Sequence, residues 1–310
     1  MTTIGIAQWL AAVGEPDRNL RDALTLVDEL ARRGCDLIVL PELWPCGYDP
    51  ATLARDARDA AEPLDGPRGR ALAAAALAHE VWLFAGTVPE LDGNRLYNTA
   101  LVYGPDGALR ATHRKTHLYF PLGEDTVFAA GDGPTVLEID GLGTVGLSTC
   151  FDGDHPDFAR TLHDRGARIV VSPCAYEVGA ESWWDLLYPA NALANGQWWI
   201  MANQRGGDLL GASRVIAPDG SILAELPRLG DDARPPAPET LVVSVDLQED
   251  RSRAAGGRRP LGARPVRRPL RAIPARPRAA SATTRACERG HARPRRPAPR
   301  RSAPARRARA

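Results

Sequence analysis

The sequence predicts an α/β protein in which a mostly buried sheet is covered by helices. Residues 1–250 alternate strand-length apolar runs with longer stretches whose apolar residues recur at helical spacing. The run Asp36-Leu-Ile-Val-Leu40 is apolar beyond its first residue and reads as a strand buried on both faces. With 310 residues, 44% of them hydrophobic, the chain is long enough for a sizeable core.

The elements follow in order. Residues 3–9 form a first strand. Residues 19–33 form a helix with Leu20, Leu24, Val27, Leu30 and Ala31 on one face, closed by Gly34 before the strand at 36–40. An alanine-rich helix at 66–79 leads to a strand at 81–87. Strands at 97–103 and 109–117 flank the turn Gly104-Pro-Asp-Gly107. Strands at 136–139 and 144–149 surround Gly141-Leu-Gly143. A helix at 157–165, a strand at 168–172, a helix at 182–195 and a strand at 198–203 continue the alternation. A hairpin around Pro218-Asp-Gly220 and a strand at 240–246 end it.

Composition changes near residue 250. Residues 251–310 contain 20 Arg and one acid, Glu288, whereas residues 1–250 hold 19 basic and 37 acidic residues, a net charge of −18. So acidic a body is a poor nucleic-acid binder. The second segment is Arg, Ala, Pro and Gly without apolar periodicity, and a disordered basic tail is expected there. Three readings of it stay open: a basic tail for nucleic acid or acidic partners, a tail without function, and a shifted reading frame. No run of about 18 apolar residues exists, so no transmembrane helix is expected. The N-terminus lacks a basic region before its apolar stretch, and no secretory signal is expected. Five scattered cysteines at 35, 46, 150, 174 and 287 suit reduced thiols in the cytoplasm.

Three residues stand where apolar strands run out, the place in α/β folds where reacting groups gather. Cys150 follows Val145-Gly-Leu-Ser-Thr149 and precedes a helix, a junction that favours a thiolate and can receive an oxyanion. Taken alone it could be a small core residue. Lys115, in His113-Arg-Lys-Thr-His117, is the only lysine in the chain. In a sequence that otherwise uses Arg, it suggests a need for a compact ammonium. Glu42 follows Leu37-Ile-Val-Leu-Pro41, and its loop Leu43-Trp-Pro-Cys-Gly-Tyr-Asp-Pro50 brings aromatic side chains suited to a pocket. Alone it would read as a solvated glutamate.

In order and spacing these segments resemble the nitrilase (carbon–nitrogen hydrolase) superfamily over residues 3–246. Pro41-Glu-Leu-Trp-Pro-Cys-Gly-Tyr48 matches its glutamate motif, and His113-Arg-Lys-Thr-His-Leu-Tyr119 its lysine motif. Gly146-Leu-Ser-Thr-Cys-Phe-Asp-Gly-Asp-His-Pro-Asp-Phe-Ala-Arg160 matches its cysteine motif. Glu124, ahead of Phe128-Ala-Ala-Gly131, matches a second glutamate. The resemblance implies a four-layer α-β-β-α sandwich, built by pairing two subunits through helices after the cysteine and near 182–195. It implies Glu42, Lys115, Cys150 and Glu124 as catalytic residues, with no metal or organic cofactor. Tyr48, Tyr119, Phe151 and Tyr176 are the expected substrate-binding residues. The implied substrate is a small amide or N-carbamoyl compound, and the implied assembly a homodimer or higher homo-oligomer. A strict nitrilase and a catalytically silent subunit are the alternatives. Asp157 and Ala194 depart from the family, which usually has Glu at both places.

Other signals carry less. Gly141-Leu-Gly143-Thr-Val-Gly146 fits a dinucleotide fingerprint, but a strand follows it where a helix is needed. His113 and His117 lack companion ligands for a metal. Cys46 could line the pocket, Cys174 reads as buried filler, and Trp183, Trp184, Trp198 and Trp199 read as core or interface aromatics.

Overall fold

The computed structural model describes residues 1–230 and 237–247. The expected tail at 251–310 and the domain boundary at 250 lie outside the described residues.

Two six-stranded sheets form the centre. The first runs β14 (Glu239–Val245), β1 (Thr2–Gln8), β2 (Leu37–Val39), β3 (Trp82–Asp92), β4 (Arg95–Tyr103), β5 (Leu109–Arg114). The second runs β13 (Ile222–Glu225), β12 (Arg214–Ile216), β9 (Trp198–Asn203), β8 (Ile169–Cys174), β7 (Gly143–Leu147), β6 (Thr135–Ile139). In each sheet the inner pairs β1–β2–β3 and β7–β8–β9 are parallel and the flanking pairs antiparallel. A short hairpin of β10 (Arg205–Gly206) and β11 (Leu209–Leu210) stands apart.

Side-chain alternation explains how the sheets stack. Ile4, Ile6, Leu37, Val39 and Phe84 of the first sheet meet Val145, Leu147, Ile169, Val171 and Ile200 of the second in one buried cluster. The outer face of the first sheet packs on α1 (Pro16–Arg32) and α3 (Pro67–His79). That of the second packs on α5 (Pro156–Asp164) and α6 (Tyr188–Asn195). The α-β-β-α sandwich is therefore present, but all four layers belong to one chain rather than to two paired subunits. Strands whose two faces are both apolar need a cover on each side, and this chain carries both covers itself.

Several boundaries differ from the sequence reading. The stripe that α1 buries is Asn19, Ala23, Leu26, Val27 and Leu30; Leu20 and Leu24 sit at its margin. Strand β3 continues past Thr87 through Pro89 to Asp92. A central strand normally excludes proline, but β2 pairs only with Trp82–Phe84, and beyond it Glu62 bridges that edge by donating to the Pro89 carbonyl and accepting from the Leu91 amide, so no ladder bond calls on a Pro89 N–H. The expected helix at 182–195 is a wide π turn (Trp183–Leu187) followed by α6, because Pro189 has no N–H for the α-helical ladder. Helices α2 (Leu53–Asp59) and α4 (Glu124–Val127) are too short to show periodicity in sequence.

Gly86 anchors the strand end that matters most for the site. It has φ +66°, and a Cβ there would lie 2.0 Å from the carbonyl oxygen of Pro41, the residue before Glu42. Gly86→Ala should therefore cost about 2–4 kcal/mol, from left-handed backbone and overpacking together. Thermal or urea unfolding of the purified variant reads this directly; a change under 0.5 kcal/mol would show that the loop at Pro41 yields freely.

Candidate active site

The site lies at the carboxyl ends of β2, β7 and β8, beside the chain leaving β5. Glu42 and Lys115 are each at most 1% exposed, and Glu124 is fully buried. Lys115 Nζ donates to Glu42 Oε1 at 2.8 Å and lies 2.9 and 2.8 Å from the two oxygens of Glu124. Burial alone would push the ammonium pKa down, but the two carboxylates outweigh it and hold it well above the usual lysine value. The Glu42 carboxyl is raised as well, in its case by burial, against the opposing pull of Lys115.

Each carboxylate is positioned by further donors. Asn98 Nδ2, on β4, donates to Glu42 Oε1 at 2.8 Å. Glu42 Oε2, also buried, has no hydrogen-bond partner among the described residues. Glu124 Oε1 accepts from the Tyr48 hydroxyl at 2.8 Å, and its Oε2 from the Tyr119 amide at 2.9 Å. The backbone around Glu42 is fixed by Gln204 Nε2 donating to its carbonyl at 2.8 Å and by Thr87 Oγ1 accepting from the Leu43 amide at 2.8 Å.

Cys150 opens a single 3-10 turn, Cys150–Asp154, rather than a full helix, because Pro156 starts α5 as a separate element. Its φ is +44°, a left-handed backbone that a β-carbon disfavours and that clusters at functional sites. The Tyr188 hydroxyl holds this conformation by donating to Cys150 O at 2.8 Å. Gly153 lets the ring come close: a Cβ there would lie 2.4 Å from Tyr188 Cε1. The thiol is held well above its ordinary pKa by its hydrogen bond with Cys174, then by burial and by the charge of Glu42. It rests as the neutral thiol.

Asp152 clamps the cysteine segment to the lysine segment. Its Oδ2 bonds His113 Nε2 at 2.9 Å and accepts from the Thr149 amide at 3.1 Å. Its Oδ1 accepts from the His117 amide at 2.8 Å and bonds His117 Nδ1 at 3.0 Å. Burial alone would raise the Asp152 carboxyl; the two histidines outweigh it and hold it well below the usual carboxylate range. The histidines on either side of Lys115 are thus positioning residues.

A cavity of about 280 Å³ opens over these groups. Lys115, Glu124 and Cys150 line it, as do the four expected binding residues Tyr48, Tyr119, Phe151 and Tyr176. Three expectations need correction. Cys46 does not reach the cavity; it packs with Leu43, Leu53 and Phe128 behind the glutamate loop. Cys174 is more than filler, since it contacts the Cys150 thiol. Trp183 lines the cavity mouth while Trp184, Trp198 and Trp199 are core, so the four tryptophans divide. Sequence reasoning also missed Asn98 and Glu177, which have no motif of their own, and Asp154, which lies within the cysteine motif at the end of its 3-10 turn.

The family model for carbon–nitrogen hydrolases matches residues 3–255. The chain belongs to the carbon–nitrogen hydrolase family. Over 236 residues it is 30% identical to a chloroplastic omega-amidase of Arabidopsis thaliana, spanning 71% of this chain and 63% of that protein. It is 32% identical over 229 residues to a nitrilase of Pyrococcus abyssi, covering 72% and 84%. Among solved structures, a glutamate-to-glutamine mutant of the amidase from Nesterenkonia sp. AN1, whose active-site cysteine has added to acrylamide, superposes with TM-score 0.70 at 26% identity. That match covers 82% of this chain and 98% of the other. Among the described residues of this carbon–nitrogen hydrolase, no helix is long and apolar enough to cross a membrane.

Two outcomes follow from the geometry. An ammonium has three donors, and the two carboxylates leave one for the cavity. The planar fork of Lys115→Arg cannot sit in the same gap, so kcat/KM should fall about a hundredfold or more, the usual effect of losing one oxyanion donor. Steady-state ammonia release checks this; a variant keeping more than about a tenth of the rate has lost under 1.4 kcal/mol and excludes that role. The second outcome concerns pH. A Glu42 that serves as proton acceptor must be ionised, and its carboxyl is raised, so in that role activity should be present above the shifted pKa and lost as pH falls through it. Asn98→Leu removes a donor that favours the carboxylate, so the acid limb of kcat/KM should move to higher pH. An unmoved or lowered limb would separate Glu42 from the proton transfer.

Proposed function

We propose that this enzyme hydrolyses small amides through a thioester on Cys150, with Glu42, Lys115 and Glu124 completing the catalytic set. The observation that carries this reading is the free oxygen of Glu42. Its Oε1 is occupied by Lys115 and Asn98, while buried Oε2 has no partner and is available for the thiol proton.

The steps balance as follows. As sulfur attacks the amide carbon, the thiol proton passes to Glu42 and the carbonyl π electrons move to oxygen. The spare N–H of Lys115 and the Phe151 amide stabilise that oxyanion. Glu42 returns the proton to nitrogen, the C–N bond breaks, and ammonia or an amine departs from an acyl thioester. Water, deprotonated by Glu42, then adds to the thioester; the C–S bond breaks, the proton goes to sulfur, and the acid leaves. Coupling proton transfer to attack suits a thiol held above its ordinary pKa, because a free thiolate would be costly in this buried site. Glu124 positions Lys115 and carries Tyr48 into the cavity wall.

Amides are preferred to nitriles in this reading. Of the two residues after the nucleophile, Phe151 lines the cavity, whereas Asp152 is turned into the histidine clamp and cannot shape a nitrile's approach. Glu42 is suited to deliver the proton that a departing amine requires. Simple amides fit better than N-carbamoyl amino acids, since among the described residues no arginine lines the cavity to grip a carboxylate. A homodimer through the second sheet's helices is supported by Leu186 and Leu193, which are 71% and 55% exposed one heptad apart. The described cysteines, 35, 46, 150 and 174, are all free and buried, which supports a reducing cytoplasmic setting.

The test pairs a substitution with a substrate comparison. Cys150→Ala should abolish turnover while retaining the native far-UV spectrum and unfolding transition; near-native turnover would end the proposal. An amide should exceed the nitrile of the same acyl group in kcat/KM by about tenfold or more, or 1.4 kcal/mol of transition-state binding. The reverse order would make the enzyme a nitrilase in the strict sense.

A further inference from the structure

The cavity wall beyond the catalytic set is acidic and aromatic. Its charged lining residues are Lys115, Glu124, Asp154 and Glu177. The ammonium of Lys115 is taken up by Glu42 and Glu124. Among the described residues, Asp154 and Glu177 therefore face the cavity without a cation, and no arginine lines it.

Both carboxylates are held in place by tyrosines. Asp154 Oδ2 accepts from the Tyr176 hydroxyl at 2.8 Å, and Glu177 Oε1 from the Tyr119 hydroxyl at 3.1 Å. Asp154 Oδ1 is buried and has no hydrogen-bond partner among the described residues. Tyr188 adjoins the same carboxylate, but its single proton is given to Cys150 O. Burial pushes the Asp154 carboxyl up to about 6, against the Tyr176 hydrogen bond, so it is mainly ionised at neutral pH with one oxygen unsatisfied. Leaving such a group without a donor is costly unless a ligand supplies one. Around the two acids, Tyr119 and Phe151 meet edge to face with centroids 4.9 Å apart, and Trp183 closes the mouth. Aromatic faces beside carboxylates are the chemistry that accepts an organic cation.

We propose that the enzyme selects primary amides whose acyl chain ends in an ammonium or guanidinium group, recognised by Asp154 and Glu177, and disfavours those ending in a carboxylate. The ammonia leaving group is small, so the cavity has to house the acyl chain. This proposal rests on the amidase reading of the same site and specifies its substrate class. It also separates this chain from any relative that acts on an amide bearing a second carboxyl group, which would place two negative charges against two more.

The experiment compares three primary amides of matched length: 4-aminobutanamide (cationic), pentanamide (neutral) and the monoamide of glutaric acid (anionic). The cationic amide should lead pentanamide in kcat/KM by roughly tenfold or more, with the anionic amide slowest. Asp154→Asn and Glu177→Gln should each lower the ratio of cationic to neutral substrate. The same order should appear in binding to Cys150→Ala by calorimetry, a readout that does not depend on turnover. Tighter binding of 4-aminobutanamide than pentanamide, weakened by Asp154→Asn in the Cys150→Ala background, supports the proposal. Equal or weaker binding, or a ratio unmoved in both carboxamide variants, overturns it. Turnover that favours pentanamide would overturn it while leaving the amidase reading intact; absence of turnover with all three amides would count against that reading instead, and binding would still decide the charge preference.

Discussion

A single ammonium between two buried carboxylates fixes the arrangement of this site. Lys115, Glu42 and Glu124 are shielded from solvent, and a charge taken out of water is tolerated only when it is paired and its remaining hydrogen bonds are filled. The three residues arrive on separate segments: the end of β2, the chain after β5, and the start of α4. Because none can be buried without the others, these segments must converge. Tyr48, Asn98 and the Tyr119 amide fill the remaining acceptor positions and extend the constraint to two more segments. One oxygen, Glu42 Oε2, is left over, buried and without a hydrogen-bond partner among the described residues.

A second constraint locks Cys150 to this cluster. Alternation along the chain leaving β5 puts His113, Lys115 and His117 at every second position. The outer two bind Asp152, two residues after Cys150, while the middle one binds the glutamates. A left-handed Cys150 is thereby held against its own backbone preference by neighbours on both sides, with Tyr188 capping its carbonyl. The same closeness keeps the thiol protonated at rest, since Cys174, burial and Glu42 all oppose a thiolate.

Much of this was legible in the sequence. Glu42 and Cys150 each end an apolar run and Lys115 follows the strand after the turn at 104–107, and strand ends are set by local pattern, so their positions could be read without coordinates. The lone lysine among many arginines marked a gap that only a compact cation fills. What escaped depended on packing between distant segments. The histidines beside Lys115 could be excluded as metal ligands, but their partner Asp152 is nearly forty positions away. Asp152 directly follows Phe151, yet a 3-10 turn sends successive side chains to different sides, Phe151 to the cavity and Asp152 to the histidines. The strand read at 81–87 runs on to Asp92 because Glu62, distant in sequence, bridges its edge beyond the short β2. The four layers of one chain were likewise hidden, because apolar strands announce that they need two covers and not where the covers come from.

Partitioning with hydroxylamine is the measurement closest to the central claim that hydrolysis passes through a Cys150 thioester. A primary amide and the ethyl ester of the same acid should yield one common acyl-enzyme. Hydroxylamine competing with water should then give the same ratio of hydroxamate to acid from both substrates, and Cys150→Ala should give neither product. Ratios that depend on the leaving group, or acid formed from both substrates with no hydroxamate at any hydroxylamine concentration, would contradict a shared thioester and with it this account of the site.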